Sequence, residues 1–330
     1  MTHRARPPTR RALLRGTAVL AFAGMGAAAQ AQDYPSRPLV LLVGYAPGGA
    51  GDIITRRLAQ KMSEHLGQPV VVDNRAGAGG VVATMLAAKA KPDGYTLLLT
   101  GNGPAISSVL FKNAPYSLSR DFRHVSSIAS FYPAFIVDGP SEFNSIADVL
   151  AYARTHPGKL SIGTANIGTT QQLAAEMFRS MSGIDAVVVP YKSNAEILAA
   201  LRAGDVQVAV DILPPLLGQI AARSIRALAV TSSQRFPGLP AVPTLAESGF
   251  PGFEATSWGG ISVPAHTPDV VVERLAREIQ QAMDSPDVRI PLQNMGFVAQ
   301  ASTPEEMTAR TNRDIVKWRA VIEKAGIQQQ

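Results

Sequence analysis

The chain has 330 residues, of which 31 are lysine or arginine and 25 are aspartate or glutamate, for a formal net charge of +6. It contains no cysteine, which excludes disulfides and thiolate chemistry. A chain of this length has room for one large or two ordinary domains, each with a substantial hydrophobic core.

The first 31 residues predict an export signal. Five arginines and no acidic residue precede or flank an apolar run over residues 16–29, and Ala29-Gln30-Ala31 is a typical cleavage site. The run Arg10-Arg11-Ala12-Leu13-Leu14 is typical of a twin-arginine signal, although Leu13 stands where phenylalanine is more common. Because the apolar run is shorter than the roughly 20 residues that span a membrane, cleavage after Ala31 is favoured over an uncleaved anchor. We expect a periplasmic protein exported by the twin-arginine route.

Removal of this signal changes the charge balance. The signal contains five of the 31 basic residues and no acidic residue, which leaves 26 basic against 25 acidic residues. A protein so close to neutrality has no general electrostatic attraction for polyanions. We therefore expect no nucleic-acid partner.

Short apolar runs alternate with helical patterns along the rest of the chain. The first alternation predicts strands at 39–43, 70–72 and 95–100 and helices at 53–66 and 81–90. The second predicts strands at 134–137, 159–163, 187–189, 206–210 and 225–230 and helices at 146–153, 170–181 and 195–203. Two further helices, near 268–283 and 304–324, are expected to pack on the first lobe. This order is typical of mainly parallel sheets flanked by helices.

The two alternating units predict an α/β protein with two lobes. The extended stretches at 130–136 and 256–263 are the expected crossings between the lobes. The expected boundaries are 32–130 with 260–330 for lobe 1 and 131–259 for lobe 2. A capping box from Ser145 to Asp148 is expected at the first helix of lobe 2.

Three turns lie between a predicted strand and a predicted helix. They are residues 46–52, 74–80 and 166–170, and Ser193-Asn194 offers a fourth helix cap. Free N–H groups and the helix dipole at such turns favour binding of an anion. The alternative for the glycines is that they only permit a tight connection.

Several motifs occur in order along the chain. They include Tyr34-Pro35-Ser36-Arg37-Pro38, Ala46-Pro47-Gly48-Gly49, Pro92-Asp93-Gly94-Tyr95, Val189-Pro190-Tyr191-Lys192 and Thr256-Ser257-Trp258. In these motifs the chain resembles the periplasmic solute receptors of tripartite tricarboxylate transporters, the Bug-type family. The resemblance implies a type II-like periplasmic binding protein fold that closes around a small organic acid anion, either a di- or tricarboxylate or an aromatic acid. It also implies delivery to the membrane subunits of a transporter, a monomer, no cofactor, no metal and no enzymatic activity.

The turns and the resemblance together predict a set of ligand-binding residues. The predicted residues are Tyr45, Ala46, Pro47, Gly48, Gly49, Gly51, Asp52, Asn166, Gly168, Thr169, Thr170, Tyr191 and Asp211. Besides the glycines, alternatives stay open for five of them. Asp52, Thr169 and Thr170 are also suited to plain helix caps. Tyr191 is suited to aromatic packing, and Asp211 to bonding local backbone instead of a ligand's ammonium or hydroxyl group.

Two residues depart from the family pattern in a way that bears on the ligand. Gly51 stands where the family commonly has threonine or another small polar residue, and Ile212 stands where it commonly has asparagine. Both differences remove a polar group, which favours a less polar acid such as an aromatic one. Trp258 is expected either to pack at the hinge or to stack on the ligand.

Two other functions remain as alternatives. A receptor that reports its solute to a signalling partner would have the same sequence pattern. A secreted hydrolase would need serine, histidine and aspartate side chains that meet only in the fold, and the chain has no G-x-S-x-G motif. The glycine turns do not match the nucleotide-binding motifs, and no H-x-x-x-H pair indicates a zinc site.

Overall fold

The structure is a computed structural model that describes residues 34–329, except for the side chain of Ala78. Residues 37–329 belong to one compact unit. The predicted export signal, with its twin-arginine motif and cleavage site, lies outside the described residues. Within the described part of the chain, none of the helices is both long enough and apolar enough to cross a bilayer.

Strands and helices alternate along most of this unit. The strands are β1 (Leu39–Val43), β2 (Val70–Asn74), β3 (Thr96–Gly101), β4 (Phe122–Phe131), β5 (Pro133–Asp138), β6 (Leu160–Thr164), β7 (Ala186–Pro190), β8 (Val208–Ile212), β9 (Ile225–Val230), β10 (Ser257–Pro264) and β11 (Val298–Ala299). The helices are α1 (Ala50–Leu66), α2 (Val81–Ala88), α3 (Asn102–Leu110), α4 (Ile146–Thr155), α5 (Thr170–Ser182), α6 (Asn194–Ala203), α7 (Leu217–Ala221), α8 (Asp269–Asp284), α9 (Pro286–Asn294) and α10 (Pro304–Lys324).

The strands form two mixed sheets. One has the order β11-β4-β10-β3-β1-β2 and the other β7-β6-β8-β5-β9. In the first sheet β1 is parallel to β2 and β3, and in the second β6 is parallel to β7 and β8. The pairings of β4, β5, β9, β10 and β11 are antiparallel. The parallel halves are the predicted βαβ units, and the antiparallel halves contain the strands on which the chain leaves one sheet and returns to it.

The crossings between the sheets are shorter than the sequence indicates. Only Tyr132 separates β4 of the first sheet from β5 of the second. The stretch at 256–263, predicted as an extended connection, is mostly the buried strand β10, which lies between β3 and β4. Its two serines and two glycines hide it from a search for apolar runs. The lobe boundaries predicted from the sequence stay a prediction.

The second sheet has a hydrophobic core on each face. Successive residues of β5 alternate between them, with Phe135 and Val137 in one core and Ala134 and Ile136 in the other. This alternation follows from the two-residue period of a strand. It explains why apolar runs without a polar face mark these strands in the sequence.

Two helix caps differ from the sequence prediction. Ser145 caps α4 by accepting from the Asp148 N–H, but the Asp148 carboxylate accepts from the N–H of Asn144 instead of closing a box with Ser145. A complete capping box occurs at α10, between Thr303 and Glu306.

The last helix packs on elements of the first sheet and also reaches the core of the second sheet. α10 packs on β4 and α3. Its buried residues Trp318 and Ile322 lie in the same core as Phe135 of β5 and Phe178 of α5. The indole Nε1 of Trp318 is buried without a hydrogen-bond partner.

Trp318 is therefore a test of this packing. We expect Trp318→Ala to lower the free energy of unfolding by about 3–5 kcal/mol, because it leaves a large cavity. Trp318→Phe should cost clearly less, because it keeps an aromatic ring and removes a buried N–H that has no acceptor. Urea unfolding of the two variants measures the difference. Equal losses would contradict the packing described here.

Candidate functional site

A cleft of about 1010 Å³ lies between the two sheets, at the carboxyl ends of their parallel strands. The first sheet and its connections contribute Gly44, Tyr45, Ala46, Pro47, Gly48, Gly49, Ala50, Gly51, Ile54, Ala76, Gly77, Gly79, Leu99, Thr100, Gly103, Phe111, Phe131, Ser257, Trp258 and Gly259. The second contributes Ala165, Asn166, Ile167, Thr169, Thr170, Gln171, Pro190, Lys192, Ser193, Asn194, Ala195 and Ile212. The cleft therefore collects three of the predicted turns and the fourth predicted cap.

The turn before α1 leaves backbone donors open to this cleft. The N-cap residue is Gly49, with φ −75° and ψ 168°, and no side chain accepts from the first turn of the helix at that position. The first N–H groups of a helix have no partner within the helix. They lie at the positive end of the helix dipole, where an anion is stabilised.

Asp52 holds this turn from behind and does not line the cleft. Its side chain is almost fully buried and accepts at 2.9 Å from the Gly48 N–H, from Asn74 Nδ2 and from Arg56 Nε. Burial acts to raise the pKa of Asp52, but these hydrogen bonds and the Arg56 charge hold it below its usual value. Asp52 is thus an ionised support for the turn, although the N-cap of α1 is Gly49 and not Asp52.

Close packing fixes two glycines of the same wall. A Cβ at Gly51 would lie 2.8 Å from Leu99 Cδ2 and 3.1 Å from Tyr45 Cδ2, so a larger residue here requires these side chains to shift. A Cβ at Gly103 would lie 2.1 Å from the Tyr45 hydroxyl oxygen. Burial raises the pKa of Tyr45 to about 12, which keeps its hydroxyl neutral.

On the opposite wall, the helix caps are already formed. Thr169 Oγ1 accepts from the Gln172 N–H at 3.3 Å and donates to the Asn166 carbonyl at 2.7 Å. Ser193 Oγ accepts from the Glu196 N–H at 3.3 Å and caps α6. The Thr169 O–H is therefore used within its own turn, whereas no acceptor among the described residues takes the Ser193 O–H.

Three further predicted residues lie next to the cleft without lining it. Gly168 has φ 81° and stands between lining residues. Tyr191 packs against the core below α6. Asp211 has no exposed surface and accepts from the Ile212 N–H at 2.8 Å and from the side-chain amides of Gln171 and Asn194. These three residues adjoin or contact residues that line the cleft, and do not line it themselves.

Trp258 lines the cleft and is also tied to the last helix. Its indole N–H donates to Asp314 Oδ2 at 2.5 Å, and the Arg310 guanidinium lies 4.5 Å from the ring centroid. Arg310 also donates to Ser130 Oγ at 3.1 Å. Since its only polar side-chain atom already donates to Asp314, Trp258 offers carbon surface to the cleft.

The sequence analysis placed Trp258 either at the hinge or on the ligand. It did not predict the lining residues Phe111, Phe131 and Gln171.

A histidine and two hydroxyls form a chain behind the cleft. His124 Nδ1 lies 2.8 Å from Ser262 Oγ, which lies 2.7 Å from the hydroxyl of the lining residue Thr100. Burial lowers the pKa of His124 to about 4, and Ser262 has no exposed surface. Because Ser262 has no exposed surface, a solute in the cleft does not reach its hydroxyl. These three hydrogen-bonded side chains therefore belong to the core and do not support the hydrolase alternative. Among the described residues, no group of three or more acidic or histidine side chains is placed to hold a metal ion.

Comparison with known proteins identifies the family. The model of the tripartite tricarboxylate transporter family receptor matches residues 54–327. The chain belongs to this family of receptors. A protein from the tcbD-tcbE intergenic region of Pseudomonas sp. (strain P51) is 38% identical over 95% of this chain and 94% of that protein. Protein BugT of Bordetella pertussis (strain Tohama I) is 34% identical over 93% of this chain and 95% of that protein.

Solved receptors share the fold. The structure of R. palustris Rpa4515 with adipate is 34% identical, has a TM-score of 0.84 and matches over 90% of this chain and 99% of that one. The periplasmic binding protein BugD is 32% identical, has a TM-score of 0.82 and matches over 90% of this chain and 100% of that one. This receptor therefore has the two-lobed α/β fold of periplasmic binding proteins, as the sequence predicts, although with mixed sheets.

Asp211 should make the stability of the receptor depend on pH. Burial raises its pKa to about 6 in the folded chain, whereas the pKa of an exposed aspartate is about 3.9. Between these values the folded state binds more protons than the unfolded state, so the free energy of unfolding falls as pH rises. We expect the unfolding free energy of the wild type, relative to Asp211→Asn, to fall by about 2–3 kcal/mol between about pH 4 and pH 7. Urea unfolding at several pH values checks this, and a constant difference would contradict the raised pKa.

Proposed function

We propose that this receptor binds a small organic carboxylate in the cleft and delivers it to the membrane subunits of a tripartite transporter. The observation that carries the proposal is the uncapped start of α1, which faces the starts of α5 and α6 across one cleft. Carboxylate oxygens only accept hydrogen bonds, and the open N–H groups at the start of α1 are donors. The relative with bound adipate supports the same ligand class.

Binding of this kind needs contacts from both walls. One helix dipole contributes only about 0.3–1 kcal/mol. Three or four charge-assisted hydrogen bonds of roughly 1.5–3 kcal/mol each reach the ~8 kcal/mol of micromolar binding, less the cost of ordering the site. A ligand that touches both walls stabilises the closed arrangement by its differential affinity. Closure about a hinge, with lobe boundaries at 130–131 and 259–260, is therefore part of the proposal.

We assign direct contacts to the predicted residues that line the cleft, and supporting roles to the rest. The direct contacts are Tyr45, Ala46, Pro47, Gly48, Gly49, Gly51, Asn166, Thr169 and Thr170. The supporting residues are Asp52, Gly168, Tyr191 and Asp211. Lys192, an exposed residue at the cleft, adds a positive charge that favours an anion.

The location and assembly of the receptor follow the same proposal. Export by the predicted signal would put the chain in the periplasm, where BugD is described as a binding protein. The twin-arginine route and a monomeric state stay predictions. Export by one route or the other is measured by blocking each pathway in cells.

The first test is a thermal-shift screen of the protein from Gln32 onward. The panel contains dicarboxylates, tricarboxylates, amino acids and aromatic acids at matched ionic strength. A ligand at 100 times its Kd should stabilise the fold by about 2.7 kcal/mol. Folded protein that responds to none of these acids would contradict the proposal.

Gly49→Asp tests whether the start of α1 is the carboxylate site. The backbone at Gly49 suits any residue, and an added Cβ would meet only the Ala46 carbonyl oxygen, at 3.5 Å. An aspartate there would cap α1 and raise the free energy of unfolding by a few tenths of a kcal/mol. Its charge would occupy the donors and repel the ligand, so we expect affinity to fall by about tenfold or more.

The matched control for this variant is Gly49→Asn. It introduces a neutral cap of nearly the same size, so calorimetry should show a smaller loss of affinity than for Gly49→Asp. Equal losses in both variants would indicate crowding instead of charge. Unchanged affinity in both would place the carboxylate elsewhere.

A further inference from the structure

Asp211 lies beneath the cleft, at the end of β8. Its buried carboxylate accepts from the backbone N–H of Ile212 at 2.8 Å, from Gln171 Nε2 at 3.4 Å and from Asn194 Nδ2. Gln171 is the second residue of α5 and Asn194 is the first of α6, and both line the cleft. One buried acid therefore holds two carboxamides that come from different helices.

The charge of Asp211 decides how these carboxamides are turned. An ionised carboxylate has only acceptors, so each carboxamide must present its NH2 group to it. At neutral pH the acid is largely ionised, since burial raises its pKa only to about 6. The carbonyl oxygens of Gln171 and Asn194 consequently point away from Asp211.

These two oxygens are available to a ligand. Within the described part of the chain, Gln171 Oε1 and Asn194 Oδ1 accept no hydrogen bond. Neither is a buried atom that lacks a partner, so both are open to solvent. The wall opposite the α1 donors thus carries acceptors, which restore polar character beside the apolar Ile212.

We propose that Asp211 is a positioning residue that turns the Gln171 and Asn194 carbonyl oxygens towards the ligand, so that the receptor selects a carboxylic acid bearing a hydrogen-bond donor, either a hydroxyl or an ammonium group. This inference rests on the proposed function. Closure over an acid without such a donor would leave both oxygens without a partner, which costs affinity. A hydroxyl on the ligand satisfies one of them, and an ammonium group has enough N–H donors for both.

Three acids that share a four-carbon dicarboxylate skeleton test the selectivity. Succinate has no donor, malate adds one hydroxyl and aspartate adds one ammonium group. Calorimetry on the wild-type protein at pH 7.5 should give malate or aspartate at least about fivefold tighter binding than succinate, as expected for one added hydrogen bond. The tighter of the two identifies the donor.

Asp211→Asn tests the positioning role. The new side chain can keep its oxygen towards Ile212 and Gln171, but its NH2 group then meets the NH2 group of Asn194. Asn194 must turn over and present a donor to the ligand. We expect the preference for malate or aspartate over succinate to fall about fivefold, while succinate binding changes little.

The control is Asp205→Asn. It removes the same charge from an exposed position in the loop between α6 and β8, the strand that contains Asp211. It should leave the preference unchanged. A wild type that binds succinate as tightly as malate and aspartate would overturn the inference while the carboxylate receptor stands. Equal weakening of all three acids in Asp211→Asn would also overturn it, because a purely structural role has that result. Folded protein that binds no acid of the wider panel would overturn the proposed function itself.

Discussion

The rest of the cleft depends on a helix that begins without a side-chain cap. Gly49 has no side-chain oxygen to offer to the first turn of α1, so the first N–H groups there stay open. The turn is instead held from behind, where Asp52 accepts from the Gly48 N–H, Asn74 and Arg56. The negative charge that would compete with a ligand is therefore kept on the buried side. The side chain that stabilises the turn and the N–H groups that a ligand can reach therefore lie on opposite sides of it.

The opposite wall is built in the reverse way. The hydroxyl oxygens of Thr169 and Ser193 cap α5 and α6 in the usual manner. The polar groups that face the cleft beside these caps include the carboxamides of Gln171 and Asn194, and a buried acid sets their orientation. One wall thus favours an acceptor-only group and the other accommodates a donor. This asymmetry would fix the orientation of a ligand, with its carboxylate at the α1 wall and its donor at the opposite wall. A cleft with the same groups on both walls would not distinguish the two orientations.

Much of the fold was readable from the sequence, for a physical reason. Buried strands of such sheets are largely apolar runs, and the bounds of β1 and β9 were predicted to the residue. β4 and β10 were missed because their polar residues are satisfied far away in the sequence. Ser126 and Ser127 of β4, for example, exchange hydrogen bonds with Ser302. Polar composition therefore indicated a connection where tertiary contacts make a buried strand.

The site shows the same limit more sharply. Glycine turns and helix caps are local signals, so the sequence located the walls of the cleft. What each wall offers depends on partners that only the fold brings together. Asp211 was predicted as a direct ligand contact, yet its first neighbours are two carboxamides on separate helices. Likewise Asp314 on the last helix takes the indole N–H of Trp258 and leaves carbon surface facing the cleft. In both cases a carboxylate outside the cleft determines which atoms of a lining residue a ligand meets. Specificity then depends on the lining residue together with the carboxylate that holds it.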